Sequence, residues 1–154
     1  MATPAISMRL DERPSERRTF VRLHGVDELV DLILSPPPHD APACVRGHRE
    51  IHLGDRPFDP LHPEMAPMML VAIGGPGGAV YFRDLDGDGR AVGFVAHGDG
   101  RAVAPRLPFG AQGGIEFEPQ DVMSRGRLER VVRACLLCGK RSEVVAWRDS
   151  AWVQ

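Results

Sequence analysis

Three short apolar runs separated by turn-forming loops dominate the middle of the chain. Residues 68–73 are continuously apolar, residues 79–83 follow a glycine-rich loop, and residues 91–96 follow a segment of alternating aspartate and glycine. Runs of this length between turn formers predict an antiparallel meander. The first run does not alternate, which is typical of a strand covered on both faces, although periodicity alone also fits a buried helix. We therefore predict that this meander is the core sheet.

Two other segments place apolar residues at helical spacing. In the first, Asp27 is suited to cap a helix that ends before the prolines at 36–38. In the second, Pro119 is suited to a first helical position, and Gly139 supplies the stop. Each segment carries an apolar stripe: Val26, Leu29, Val30, Ile33 and Leu34 in the first, and Leu128, Val131, Val132, Cys135 and Leu136 in the second.

Four shorter segments complete the predicted sheet. The pattern predicts a first strand at residues 19–23, a second at residues 50–53 and the last at residues 143–147. Residues 115–118 alternate, so that the two glutamates face water. Residues 1–18 mix charges with turn formers and predict an irregular N-terminal segment. The fold class is therefore α+β: a single domain over residues 19–154, with a mostly antiparallel sheet and two main helices packed on one face.

Chain length, net charge and cysteine spacing indicate which classes of protein and partner are possible. A chain of 154 residues with 43% hydrophobic residues fits one globular domain. A formal net charge of -2 implies no strong attraction to nucleic acid or to a membrane surface, and no apolar stretch approaches the roughly 20 residues of a membrane span. Three cysteines without a framework spacing indicate reduced thiols. We predict a cytoplasmic protein whose partners include neither nucleic acid nor membrane.

Two motifs are candidates for metal binding. Asp84, Asp86 and Asp88 match the first half of a calcium loop, but Val95 stands where such a loop needs a bidentate glutamate. A hairpin turn built on Asp-Gly pairs explains the same residues. Cys135 and Cys138 form a single CxxC pair, and a zinc site needs a second pair of ligands. We predict no metal and no cofactor, and keep a small calcium- or zinc-binding regulatory module as an alternative.

Catalytic motifs are not recognisable in the sequence. The six histidines have no paired spacing, and the glycine-rich loop at 74–78 lacks the Gly-Lys-Ser/Thr of a phosphate loop. No serine or cysteine lies in a nucleophile elbow. We predict no catalytic residues and hence no enzyme, with an unrecognised enzyme as a further alternative.

Carboxylates are concentrated on the predicted hairpin tips and on one exposed strand face. This concentration fits either a solvated rim or an acidic surface for a basic protein partner. Under the second interpretation an aromatic anchor supplies much of the affinity, with Tyr81, Phe109 and Trp152 as candidates. The predicted partner-binding residues are Asp84, Asp86, Asp88, Asp99, Glu116, Glu118 and Tyr81.

The order of these elements resembles a known family. A strand and helix with Val26-Asp27-Glu28-Leu29 precede a central strand ending in Val71-Ala72-Ile73-Gly74, and a glycine turn leads into Ala79-Val80-Tyr81-Phe82-Arg83-Asp84. Leu107-Pro108-Phe109-Gly110 and Phe117-Glu118-Pro119 follow. A single helix then leads through Gly139-Lys140-Arg141 to Val144-Val145-Ala146-Trp147. Over roughly residues 20–147 the chain resembles the Imm1 family of bacterial immunity proteins, and the closing helix, glycine and tryptophan-ended strand are its most specific part.

The resemblance implies a function. Proteins similar to this family are small cytoplasmic antidotes encoded beside polymorphic toxins that bacteria use in competition, and their partners include nucleic-acid deaminases. It implies that this chain binds a cognate protein toxin stoichiometrically and neutralises it by occluding the active site. It supplies no catalytic residues to carry over.

Overall fold

The structure is a computed structural model that describes residues 5–10, 18–20, 26–34, 48–54, 67–74, 77–99 and 117–150. Within these residues the chain forms strands and two α-helices, with a 3-10 turn at Pro119–Asp121. The strands are β1 (Ala5–Leu10), β2 (Arg18–Phe20), β3 (His48–Gly54), β4 (Met68–Gly74), β5 (Gly77–Leu85), β6 (Ala91–Ala96), β7 (Met123–Ser124) and β8 (Trp147–Ser150). The helices are α1 (Val26–Leu34) and α2 (Arg125–Cys138).

One antiparallel sheet joins all the described strands, in the order β2-β1-β3-β4-β5-β6-β8. Its centre is the predicted meander, in which Val71 pairs with Val80 and Phe82 with Phe94. The short strand β7 pairs with the first two residues of β5, on the edge that β6 occupies further along. The predicted α+β fold with a mostly antiparallel sheet is confirmed.

Both helices pack on the same face of the sheet. The stripes predicted from the sequence are buried there, and they contact the residues of the central strands that point to this face. The buried residues of this layer include Leu29, Val30, Ile33 and Leu34 from α1, Leu128, Val131, Val132, Cys135 and Leu136 from α2, and Met69, Val71, Val80 and Phe82 from the sheet. The prediction of two helices on one face is therefore confirmed.

The opposite face of the central strands is buried as well. Leu70 and Tyr81 are cross-strand partners there, and the cluster around them includes Phe117 and Val122. Strands β4 and β5 thus have apolar neighbours on both faces, which is why residues 68–73 do not alternate. This run is a strand, and the buried-helix alternative does not apply.

Arginines of α2 hold the two helices together. Arg125 donates from Nη2 to the carbonyl oxygen of Leu34 at 2.8 Å, so it caps the C-terminal end of α1. Arg133 forms an ion pair with Asp27 in the first turn of α1, and a second one with Glu129 on its own helix. The carboxylates of Asp27 and Glu129 raise the pKa of Arg133. Because these contacts join opposite ends of α1 and α2, the helices run antiparallel.

The structure corrects several predicted boundaries. The predicted irregular N-terminal segment, residues 1–18, contains strand β1, which pairs with β2 and β3. Asp27 lies inside the first turn of α1 rather than at the cap, because the helix begins at Val26. The last strand covers 147–150 instead of 143–147. Phe117 and Glu118 are not in a strand, although Phe117 is buried and Glu118 exposed as expected.

Candidate functional site

The turn between β5 and β6, residues 86–90, is here called the acidic turn. Asp86 shapes it: its Oδ1 accepts hydrogen bonds from the backbone N–H groups of Asp88 at 2.9 Å and Arg90 at 2.8 Å. The backbone N–H of Gly89 donates to the carbonyl oxygen of Asp86 at 3.0 Å, and Gly89 has φ 75°, a left-handed conformation that favours glycine. Asp86 is therefore a turn former, as one interpretation of the sequence held, and both it and Asp88 are exposed.

Asp84 has a different environment. It lies at the end of β5, where its Oδ1 accepts from the N–H of Leu85 at 3.0 Å and its Oδ2 lies 3.7 Å from Nε of Arg141. Its side chain is one-third exposed. The described residues contain no group of three or more His, Cys, Asp or Glu side chains placed to share a metal ion. The alternating aspartates are thus divided between a turn and an ion pair.

Asp99 and Glu118 lie at the other end of β6. Asp99 Oδ2 is 3.5 Å from the N–H of Ser124, the N-cap of α2, and the N–H of Gly98 donates to the carbonyl oxygen of Gln120 at 3.0 Å. Six residues of extended strand, about 20 Å, separate this end from the acidic turn. The predicted carboxylates therefore do not form one surface, because the strand that joins them holds them apart. Glu116 lies outside the described residues.

Tyr81 is not available as an interface anchor. Its exposed fraction is 0%, and it packs among the apolar residues on the face of the sheet opposite the helices. The prediction of a partner-binding role for Tyr81 is wrong, because a strand in which both alternating sets are buried leaves no side chain to protrude. The other proposed anchors, Phe109 and Trp152, lie outside the described residues.

An ion pair between a buried aspartate and a partly exposed arginine holds the last strand in place. Arg148 of β8 donates from Nε to Oδ1 of Asp121 at 3.0 Å and from Nη2 to Oδ2 at 2.5 Å. Asp121 is fully buried in the 3-10 turn, where its Oδ2 also accepts from the N–H of Glu118 at 3.2 Å. The carboxylate of Asp121 is the main cause of a raised pKa for Arg148. The bidentate geometry makes this pair a structural latch between β8 and the 3-10 turn.

A cleft of about 780 Å³ lies between the C-terminal end of α2 and the loop that leads to β8, residues 139–146. The guanidinium carbon of Arg141 lies 3.4 Å from the centroid of the Phe94 ring, beside Asp84. The cleft is not predictable from local sequence, because Asp84 of β5 faces a stretch, residues 138–147, that lies more than fifty positions further along the chain. Its lining residues are Asp84, Cys138, Lys140, Arg141, Ser142, Glu143, Val145 and Trp147.

The two described cysteines differ in environment. Cys135 is buried in the helix stripe, and burial raises the pKa of its thiol to about 11. It therefore packs as a small apolar residue. Cys138 is exposed at the cleft, and its thiol donates to the carbonyl oxygen of Lys140 at 3.1 Å.

The helices of the described chain are too short and too polar to cross a membrane. A scan against protein-family models found no match to this chain. A search of the curated proteins found none either.

Proposed function

We propose that this chain is an immunity protein that neutralises a cognate toxin of a polymorphic toxin system. It acts in the cytoplasm, without catalysis, by binding the toxin stoichiometrically and occluding its active site. The proposal begins from the resemblance of residues 20–147 to the Imm1 family. The structural observation that supports it is the acidic turn, which presents two carboxylates to solvent at one end of the sheet.

The charge of the acidic turn suits a basic partner. Asp86 and Asp88 are exposed, and neither forms an ion pair with any other residue that the structure describes. Arg90 is the one cation of the same turn, so the turn keeps a net charge of -1. Exposed carboxylates of this kind chiefly raise the association rate with a positively charged partner. A toxin that acts on nucleic acid, such as a deaminase, needs a basic substrate groove, and an acidic turn placed there blocks it.

Neutralisation is tested with the open reading frame next to this gene. Its product is expressed in cells with and without this chain, and the purified pair is examined by size-exclusion chromatography with light scattering. We expect growth arrest that this chain relieves, and a complex of one-to-one mass. A neighbouring frame without a toxin domain, or a toxin whose effect persists in the presence of this chain, argues against the proposal and favours the alternatives.

The role of the acidic turn is tested by changing its charge without changing its shape. Asp86→Asn keeps the Oδ1 acceptor that holds the turn, and Asp88→Lys alters a side chain that the turn does not use. Together they are expected to lower the association rate with the toxin by about 10-fold at low ionic strength, with a smaller effect in high salt. Arg90→Glu is the matched control of opposite sign and is expected to raise the rate. If neither change alters the association rate, the acidic turn does not lie in the interface.

A further inference from the structure

Strand β8 lies at one end of the described sheet, and one of its two edges pairs with β6. In an antiparallel ladder, residues whose backbone groups bond to the neighbouring strand alternate with residues whose groups point away from it. The N–H of His97 donates to the carbonyl oxygen of Ala146 at 2.8 Å, and this bond sets the phase of the alternation. The backbone groups of Arg148 therefore face β6, and those of Trp147 and Asp149 face away from the sheet.

The outer edge of β8 thus presents two N–H and two C=O groups in a row. Residues 147 and 149 lie about 7 Å apart along the strand. In the described part of the chain, no other backbone bonds to them on this side. An extended chain carries donors and acceptors at the same spacing, so the partner that matches this edge is another β-strand.

Side-chain contacts fix β8 without a neighbour on its outer side. Arg148 is held by its bidentate pair with Asp121. The indole N–H of Trp147 donates to the carbonyl oxygen of Ser142 at 2.8 Å, and its ring packs edge-on against Phe82, with the ring centroids 6.1 Å apart. Since the strand is already ordered, a second strand that adds to it loses little free energy to rearrangement of this chain.

The charge along this edge favours a basic strand. Asp149 is exposed, and it forms no ion pair with any residue that the structure describes. The last residue of β8 pairs with Gly93, and two residues of β6, about 7 Å, lead from there back to the acidic turn. The charge of Arg148 is already balanced by Asp121. An added strand therefore lies near three carboxylates and one cation: Asp86, Asp88 and Asp149, against Arg90.

A second copy of this chain is a poor occupant of the edge. Two β8 strands related by a two-fold axis pair antiparallel, and residues directly opposite each other point to the same face of the sheet. The register that joins the outward groups of Trp147 and Asp149 places Arg148 opposite its own copy. The register shifted by two residues places Asp149 opposite its own copy. Like charges directly opposite each other destabilise a strand pair, so the edge suits a different chain.

We propose that the outer edge of β8 docks an extended segment of the toxin, which adds to the sheet as its next strand and carries a basic side chain opposite Asp149. The backbone groups of Trp147 and Asp149 hold this segment and fix its register. The acidic turn, at the same end of the sheet, speeds association. This inference rests on the proposed function, because it names the surface and the chemistry by which that same partner is bound.

Replacing Asp149 by proline tests the backbone contact. Proline removes the outward N–H, whereas the bonds between β8 and β6 remain, because the backbone groups of residue 149 do not take part in them. Asp149→Ala is the matched control, since it removes the same carboxylate but keeps the N–H. With the purified toxin domain of the neighbouring gene, calorimetry is expected to show that Asp149→Pro binds at least about 10-fold more weakly than Asp149→Ala. Equal dissociation constants for the two folded variants overturn the docking site and leave the proposed function standing.

Asp149→Asn tests the charge opposite the added strand. It is expected to lower the association rate with the toxin by about 3-fold at low ionic strength and to reduce its dependence on salt. Glu28→Gln, the corresponding change at an exposed position of α1, is expected to leave both unchanged. Urea unfolding of every variant establishes that the fold is intact. An association rate that Asp149→Asn does not alter overturns the basic side chain opposite this residue.

Hydrogen exchange followed by NMR needs no substitution. In the free chain, the amide of Arg148 is expected to be protected at least about 10-fold more strongly than those of Trp147 and Asp149, because it bonds to β6. In the complex with the toxin, the amides of Trp147 and Asp149 are expected to exchange at least about 10-fold more slowly than in the free chain.

Three results of the exchange experiment contradict the docking site. An Asp149 amide that is already protected in the dilute free chain, or that the toxin does not slow, overturns it. Protection that appears in the free chain as its concentration rises assigns the edge to a second copy and also overturns it. A toxin that forms no complex with this chain overturns the proposed function as well.

Discussion

Replacing Arg148 by methionine removes the partner of a buried carboxylate. Asp121 is 0% exposed, and among the described residues it retains the N–H of Glu118 as its hydrogen-bond donor once the guanidinium is gone. Losing one partner of a fully buried ion pair costs about 3–5 kcal/mol. The Arg148 side chain is 40% exposed, so water screens part of its charge and the two lost charge-assisted hydrogen bonds set the scale. We expect the free energy of unfolding to fall by about 2–3 kcal/mol.

Urea denaturation followed by circular dichroism measures this loss. Arg130→Met is the control, because Arg130 is an exposed arginine on α2, and its replacement is expected to change the free energy by less than about 0.5 kcal/mol. The double variant Asp121→Asn with Arg148→Met completes a cycle, since an amide at 121 needs no cation. We expect it to be less destabilised than the sum of the single variants by more than about 1 kcal/mol.

A small effect of Arg148→Met on stability would show that the ion pair with Asp121 does not hold β8 in place. If the free energy of unfolding of Arg148→Met lies within about 0.5 kcal/mol of the wild-type value, with an unchanged dependence on urea, the pair does not fasten β8 to the 3-10 turn. A double variant that loses the full sum of the two single effects leads to the same conclusion, because it shows that the residues act independently.

Three further predictions concern glycines and thiols. Gly78→Ala places a methyl group against the Ala72 carbonyl oxygen and 2.8 Å from Leu128 Cδ2. Thermal and urea unfolding are therefore expected to show that the free energy of unfolding falls by about 2 kcal/mol or more. Gly87→Ala, whose methyl group meets open space, is the control and is expected to leave it unchanged. Gly126→Ala also meets open space inside α2 and is expected to stabilise the chain by about 0.5–1 kcal/mol in the same assay. Burial raises the pKa of Cys135 from 9.0 to about 11, so its thiolate is scarce at pH 8. Peptide mapping after iodoacetamide treatment is therefore expected to find Cys135 labelled at least about 100-fold more slowly than Cys138. The difference is expected to disappear when the pH approaches 11 or the chain unfolds.

The elements with a strong period were predictable from the sequence. The stripes of α1 and α2 recur at 3.6 residues, and the unbroken run 68–73 predicted a strand covered on both faces, which the structure confirms. Strand β1 was missed although Ile6, Met8 and Leu10 alternate with polar residues. Its charged flanks suggested an irregular segment. Of its two partner strands, β2 has only three residues and β3 lies some forty positions away, so local sequence gives a weak signal for either pairing.

The candidate site was less accessible to prediction for a geometric reason. Aspartates and glycines at 84–89 indicated a turn, and the turn is there. Whether Tyr81 is exposed depends on what covers the second face of the sheet, and that is a tertiary property. The separation of Asp99 from the acidic turn depends on the path of β6, and the cleft joins Asp84, the end of α2 and the loop before β8. Spacing within one segment specifies none of these.

The acidic turn separates shape from charge. Asp86 and Gly89 set its conformation, the first through two backbone hydrogen bonds and the second through its positive φ. Asp88 and Arg90 take part through their backbone N–H groups, so their side chains are free to vary without altering the turn. Under the proposed function, substitutions at these two exposed positions change the association rate with the toxin while the hairpin, and the sheet behind it, keep their structure.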